Sequence, residues 1–270
     1  MARVIVITSG KGGVGKTTTT SNIGMALASL GHRTLLIDAD VGLRNLDLLL
    51  GLENRIIYTG IDILNERCRL EQALLKDKRQ ENLTFFPLSG SQPTDPLTNL
   101  QVQRLIDLVE KDYDFILIDS PAGIDEGFRV AMNVANEAIV VVTPEVPSIR
   151  DADKVIGLLM SNNVRKVSLL INRFRPSMVM ADNMMSIEDV KNILGLPLIG
   201  VIPESEEIII ASNRGEPLVL EKNLSLPGLA LSDTAKRLSG EKIEFLDLNR
   251  TISKNPVKRF FGSLRTKADT

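Results

Sequence analysis

A single cysteine, Cys68, leaves no partner for an internal disulfide. A single histidine, His32, excludes the usual Cys/His metal sites, and Cys68 has no nearby histidine in the sequence to activate it as a nucleophile. Any metal that binds here is then a hard ion held through oxygen, with Mg²⁺ the first expectation. His32 itself, in Gly31-His32-Arg33, reads as an exposed turn residue. Tryptophan is missing altogether, and no apolar run reaches the ~18 residues of a membrane span. Met1-Ala2-Arg3 leads straight into an apolar run, so no signal or transit peptide is expected.

Evenly spread charge is lacking too. The net charge of −2 hides a tail, Arg250 to Thr270, with six basic residues against one acid, which leaves the rest of the chain at −7. An acidic body with a basic tail points to the tail as the part that meets an anionic surface.

What the chain does have is glycine in one place. Gly10-Lys11-Gly12-Gly13-Val14-Gly15-Lys16-Thr17-Thr18 follows the strand-like run Val4-Ile5-Val6-Ile7 and opens a helical segment. This is the G-x-x-x-x-G-K-[ST] pattern of a phosphate-binding loop in its proper setting, strand before and helix after. The glycines let backbone N–H groups turn toward phosphate oxygens, Lys16 neutralises phosphate charge, and the Thr17 hydroxyl is a Mg²⁺ ligand. Thr34 to Asp38 and Phe115 to Asp119 read as buried parallel strands ending in acids. The strands place Asp38, Asp40 and Asp119 at the sheet edge where ligands gather. Asp119 falls where a Mg²⁺-holding acid belongs, and strict alternation points Asp38 and Asp40 to the same side.

Further strands are expected at Leu83–Leu88, Ala138–Thr143, Val167–Ile171 and Leu198–Ile202. The last two lead into Asn172-Arg173 and Pro203-Glu204. Helices are expected from Ser21 to Leu30, Leu97 to Lys111, Ser148 to Met160 and Pro227 to Leu238, with a capped start at Ser186. Pro144 to Pro147 reads as a loop, Phe85 and Phe86 as core, and Met184 and Met185 as packing residues. The sum is an α/β fold: a three-layer P-loop NTPase with a mostly parallel twisted sheet flanked by helices. A P-loop domain of residues 1–240 is followed by a linker, 241–255, and an amphipathic tail, 256–270.

In that tail, Val257, Phe260, Phe261 and Leu264 recur at helical spacing, bordered by Lys258, Arg259 and Arg265. The pattern fits a helix on an anionic membrane surface. So short a segment is marginal in water, and Gly262 weakens it further.

Lys11, one residue into the loop, gives K-G-G-x-G-K-T-T, which resembles the deviant Walker A loop of the ParA/MinD family. The run Gly42-Leu43-Arg44-Asn45-Leu46-Asp47 and the basic tail resemble its septum-siting branch, and the resemblance spans nearly the whole chain. It implies that two copies sandwich ATP and that Lys11 reaches the partner's nucleotide. It also gives Asp40 to the attacking water, Asp38 to the Mg²⁺ shell, and Asn45 and Gly123 to the two switches. Asn172, Arg173, Pro203 and Glu204 would then hold adenine, and the guanine signature N-K-x-D is absent. A partner surface at Arg44, Asp151 and Asp153 would serve MinE and MinC. The activity implied is Mg²⁺-dependent ATP hydrolysis that releases the dimer from membrane and positions the division site. The short connection between Met160 and Lys166 and the Met184-Met185-Ser186 run resemble the cyanobacterial and chloroplast branch. The expected location is a bacterial cytoplasm and inner membrane, or the stroma and inner envelope of a plastid that encodes the protein. The alternative is a partition ATPase that binds nonspecific DNA, disfavoured by the acidic body and by Phe and Leu among the tail's basic residues.

Overall fold

The computed structural model describes residues 1–40, 44–89, 97–162 and 164–248. The tail positions Val257, Lys258, Arg259, Phe260, Phe261 and Leu264, and Val41 to Leu43 of the first switch, lie outside them. In chain order the elements are β1 (Arg3–Thr8), α1 (Lys16–Ser29), β2 (Thr34–Asp38), α2 (Leu46–Leu49), α3 (Gly60–Leu64), α4 (Leu70–Ala73), β3 (Leu75–Lys76), β4 (Leu83–Pro87), α5 (Asn99–Val109) and β5 (Phe115–Asp119). Then come α6 (Glu126–Asn133), β6 (Glu137–Val142), α7 (Val146–Ser161), β7 (Lys166–Phe174), α8 (Pro176–Met180), α9 (Ile187–Leu194), β8 (Leu198–Pro203), α10 (Glu206–Asn213) and α11 (Leu226–Ser239).

The strands form one sheet in the order β3-β4-β2-β5-β1-β6-β7-β8, parallel except for the β3–β4 pair. Alternation along each strand feeds two cores. Val4, Val6, Leu35, Ile37, Ile116, Ile118 and Phe86 face α5, α6, α7 and α9, whereas Ile5, Ile7, Leu36, Leu117 and Phe85 face α1 and α11. Phe85 and Phe86 are therefore both core, one on each side, and the expected three layers are present. Strands buried on both faces read as continuous apolar runs, which is why β1, β2 and β5 stood out.

Several expectations shift. Helix α1 starts at Lys16, inside the motif, because the loop's last glycine is its N-cap. Val146 and Pro147, read as loop, open α7, since proline is accommodated in a first helical turn where no N–H partner is lost. His32 is half-buried, edge-on to Phe115 with ring centroids 5.1 Å apart. Ser186 does cap α9, its hydroxyl accepting from Asp189 N at 3.1 Å.

Residues 241–248, expected as linker, are held on the body. Arg237 donates from Nε to Ile243 O at 2.8 Å and from Nη2 to Glu244 O at 2.7 Å, and lies over the Phe245 ring at 4.1 Å. Among the described residues no helix is long and apolar enough to cross a membrane.

Candidate functional site

Strand β1 delivers the chain to the sheet's carboxyl edge, and residues 9–15 turn it into α1. Gly13 and Gly15 have φ of 76° and 98°, left-handed values that a side chain rarely adopts. Other elements press on two of the glycines: a Cβ on Gly10 would sit 2.2 Å from the Asp151 carbonyl carbon, and one on Gly15 would sit 2.3 Å from Asn172 Nδ2. Gly12 and Gly13 have open space instead. Helix α1 has neither a side-chain cap nor an acid in its first turn, so the loop's N–H groups and the helix N-terminus are left for an anion.

The two lysines of the loop part company. Lys16 is buried and donates from Nζ to Ser9 Oγ at 3.0 Å, while Ser9 Oγ donates to Lys11 O at 2.8 Å. Lys11 has an exposed side chain. Burial pushes the Lys16 ammonium below its usual range, countered by the nearby carboxylates of Asp119 and Asp40.

Asp38 and Asp119 are register neighbours on β2 and β5, so their side chains stand together at the sheet edge. Burial pushes both carboxyl groups well above the usual range, Asp119 raising Asp38 further. Their hydrogen bonds separate them. Asp119 is held by Thr17 and by Thr20, whose Oγ1 donates to Oδ1 at 3.1 Å. Asp38 accepts from the backbone of Asp40 at 3.0 Å, Asn45 at 3.2 Å and Leu46 at 3.0 Å. The Asp38 oxygens thus hold the backbone of Asp40, Asn45 and Leu46, and a carboxylate accepting three hydrogen bonds keeps lone-pair capacity toward the Mg²⁺ shell that the resemblance implies. Asp40, half-buried just past the end of β2, is close enough to act on both Lys16 and Asp119. The remaining oxygen donors, the Thr17 hydroxyl and Asp119, suit a hard, largely hydrated Mg²⁺.

One further expectation changes, at Arg44, and Gly123 and Asn45 gain partners for their backbone N–H groups. Gly123, with φ of 88°, donates its N–H to Ser9 O at 3.0 Å, so that N–H is turned to the loop's own backbone. Arg44 is no open partner surface: Nη2 pairs with Asp47 Oδ2 at 2.8 Å, Nη1 donates to Ser89 O at 3.1 Å, and 14% of the side chain is exposed. Asn45 is the N-cap of α2, joined to Asp38 through its N–H. On α7, Asp151 pairs with Lys154 at 3.2 Å and Asp153 is exposed.

At the other end of the edge, Asn172 is buried and donates from Nδ2 to Val14 O at 2.8 Å, leaving its amide oxygen for a ligand. Arg173 takes φ of 55° and, with Arg175, Glu145, Asp189 and Glu204, lines a polar cavity of about 780 Å³. Pro203 ends β8 buried, and Glu204 is ion-paired with Arg175. Sequence reasoning missed Ser9, Thr20 and Arg175. Thr20 had a signal, since it lies three residues after Thr17 and so on the same helix face.

The CobQ/CobB/MinD/ParA nucleotide binding domain matches residues 5–218. A putative septum site-determining protein MinD of Emiliania huxleyi is 65% identical over 269 residues, 100% of this chain and 99% of that protein. The chain belongs to the MinD family. Among solved structures, a chain of the MinC:MinD cell division protein complex of Aquifex aeolicus is 49% identical with a TM-score of 0.84, covering 90% of this chain and 98% of that one. The septum site-determining protein MinD of Pyrococcus horikoshii, complexed with Mg-ADP, is 30% identical with a TM-score of 0.80, covering 89% of this chain and 97% of that one. Family membership makes this a nucleotide-binding, septum site-determining protein of the ParA/MinD ATPases, and the partition alternative falls away.

Proposed function

We propose that this chain is an ATP-gated dimer whose nucleotide state sets its residence on an anionic membrane. The observation that carries the reading is the division of the loop's lysines, Lys16 buried beside Asp119 and Asp40, and Lys11 exposed. One lysine serves the chain's own phosphates. The other is free to reach across to a partner's.

The α1 N-terminus and Lys16 bind the triphosphate, and Thr17 with Asp119 would hold Mg²⁺, which would supply neutralisation of the phosphate charge. The similar P. horikoshii protein complexed with Mg-ADP supports nucleotide and metal together. Asp40, half-buried and close enough to act on Lys16, orients the attacking water, and Asp38 holds the backbone that carries it. Asn172, Arg173 and Pro203 frame the base. Dimerisation brings two tails to one surface, and hydrolysis separates them. A chain similar to this one occurs in the MinC:MinD complex, which supports MinC as a partner. The exposed side of α7, with Asp151 and Asp153, is where MinC and MinE would compete. The site of action is the cytoplasm and inner membrane face, or the plastid stroma and inner envelope.

The test is light scattering with ATP. Wild type doubles in mass, and Lys11→Ala stays monomeric while still binding ATP. A Lys11→Ala dimer would remove the cross-subunit role.

A further inference from the structure

Two helices leave the carboxyl edge of the sheet on opposite sides of the nucleotide site, α2 six residues after Asp40 and α10 three after Pro203. Their far ends meet. Gly51, just past α2, has φ of 61° and Gly215, just past α10, has φ of 63°. A Cβ on Gly51 would lie 3.0 Å from Gly215 O, and one on Gly215 would lie 2.9 Å from both Gly51 Cα and Leu48 O. The two turns are therefore packed backbone to backbone.

Arg79, in the β3–β4 connection, fastens this joint. Its Nη2 donates to Leu50 O at 2.7 Å and its Nη1 to Gly215 O at 3.1 Å. Asp77, buried, holds the same guanidinium through Nε at 3.1 Å and Nη2 at 2.6 Å. A planar fork reaches a carboxylate and two carbonyls together, which the single ammonium of a lysine cannot do.

Helix α2 needs such fastening, because four residues are too few to be stable alone. Asp38 accepts from the backbone at its N-terminal end, and Arg44 ties its first turn to Ser89 O. Arg79 fixes the last carbonyl. Asp40 is joined to this pinned helix through Asp38, whose carboxylate accepts from Asp40 N at 3.0 Å and from Leu46 N at 3.0 Å.

We propose that Arg79 is a positioning residue for the nucleotide chemistry: it locks the α2–α10 joint and so, through the Asp38 carboxylate that holds both α2 and Asp40, sets where Asp40 stands relative to Lys16. This rests on the ATPase reading above. A displacement of about 1 Å at a reacting group costs up to ~100-fold in rate, so a remote pin of this kind shows in turnover.

The experiment is steady-state MgATP hydrolysis by the full chain at 25 °C for wild type, Arg79→Lys and Gly51→Ala. Arg79→Lys keeps a charge for Asp77 and loses the fork, whereas Gly51→Ala keeps the Arg79–Asp77 pair and wedges the joint. Both variants are expected to lose about tenfold in kcat with the KM for ATP within about twofold of wild type, and with unchanged far-ultraviolet circular dichroism. A kcat equal to wild type in the folded variants, whatever their thermal midpoints, overturns the proposal and leaves a structural clamp. A rise in KM at constant kcat overturns it as well. Should Arg79→Lys fail to fold, Gly51→Ala decides alone. Wild type without ATP turnover would instead strike the ATPase reading itself and take the proposal with it.

Discussion

Asp38 and Asp40 show how far residue type alone carries. The sequence places both acids at one strand end, and alternation points them to one side without giving them one role. The structure separates their partners: the Asp38 carboxylate captures three backbone N–H groups, whereas Asp40 lies close enough to Lys16 to act on it. Such Asx-type turns depend on side-chain geometry that spacing does not reveal. Arg44 has the same lesson: an exposed-looking arginine in a polar run is drawn inward by the buried Asp47. Ser9 was invisible because its role, holding Lys16, exists only once the loop has closed. The Ser9→Ala variant is expected to lose about 1 kcal/mol of stability without nucleotide, one net hydrogen bond, by urea unfolding. With saturating MgATP the deficit shrinks, since Lys16 then has phosphates. A deficit of the same size in both conditions would mean that the Ser9–Lys16 bond persists with nucleotide bound.

At the level of elements, legibility followed burial. The strands β1, β2 and β5 are flanked by sheet on both sides, so their apolar runs are unbroken and their ends are marked by Thr8, Asp38 and Asp119. The two-residue β3 carries no period and could not be read. Helix α10 contains Ile208-Ile209-Ile210, which has no helical spacing, and Ile209 and Ile210 are exposed. Its start is fixed instead by Ser205, whose hydroxyl accepts from Glu207 N at 3.2 Å. The two-core arrangement makes a contrast that can be measured. Phe86→Ala, at a position with no exposure, should cost about 3–5 kcal/mol in urea unfolding, and Leu100→Ala, 64% exposed on α5, within about 0.5 kcal/mol of nothing. Equal costs would contradict the assignment of Phe86 to the core under α5 and α6.

For the whole molecule, the phosphate loop and the tail lie at opposite ends of the chain, and neither explains the protein without the other. The loop's glycines and Lys16 bind nucleotide, as in many unrelated enzymes. In the proposed function, Lys11 reaches toward a second copy, and the tail makes the second copy a second membrane anchor. One tail is weak, each basic residue near anionic lipid contributing about 1 kcal/mol against the cost of ordering the segment. On the same proposal, two tails on one dimer would bind as a chelate, with avidity gains of ~100- to 10,000-fold over a single tail. The charge division between body and tail was legible from the sequence; the fastening of 241–248 by Arg237 was not, because it depends on carbonyls brought together by the fold. The central claim is that ATP, through the dimer, decides whether the tails hold. Co-sedimentation with phosphatidylglycerol vesicles tests it most directly, using the full chain with ATP, the full chain with ADP, and a chain ending at Asn255 with ATP. The account predicts pelleting in the first case only, and equal pelleting with ATP and ADP would contradict it.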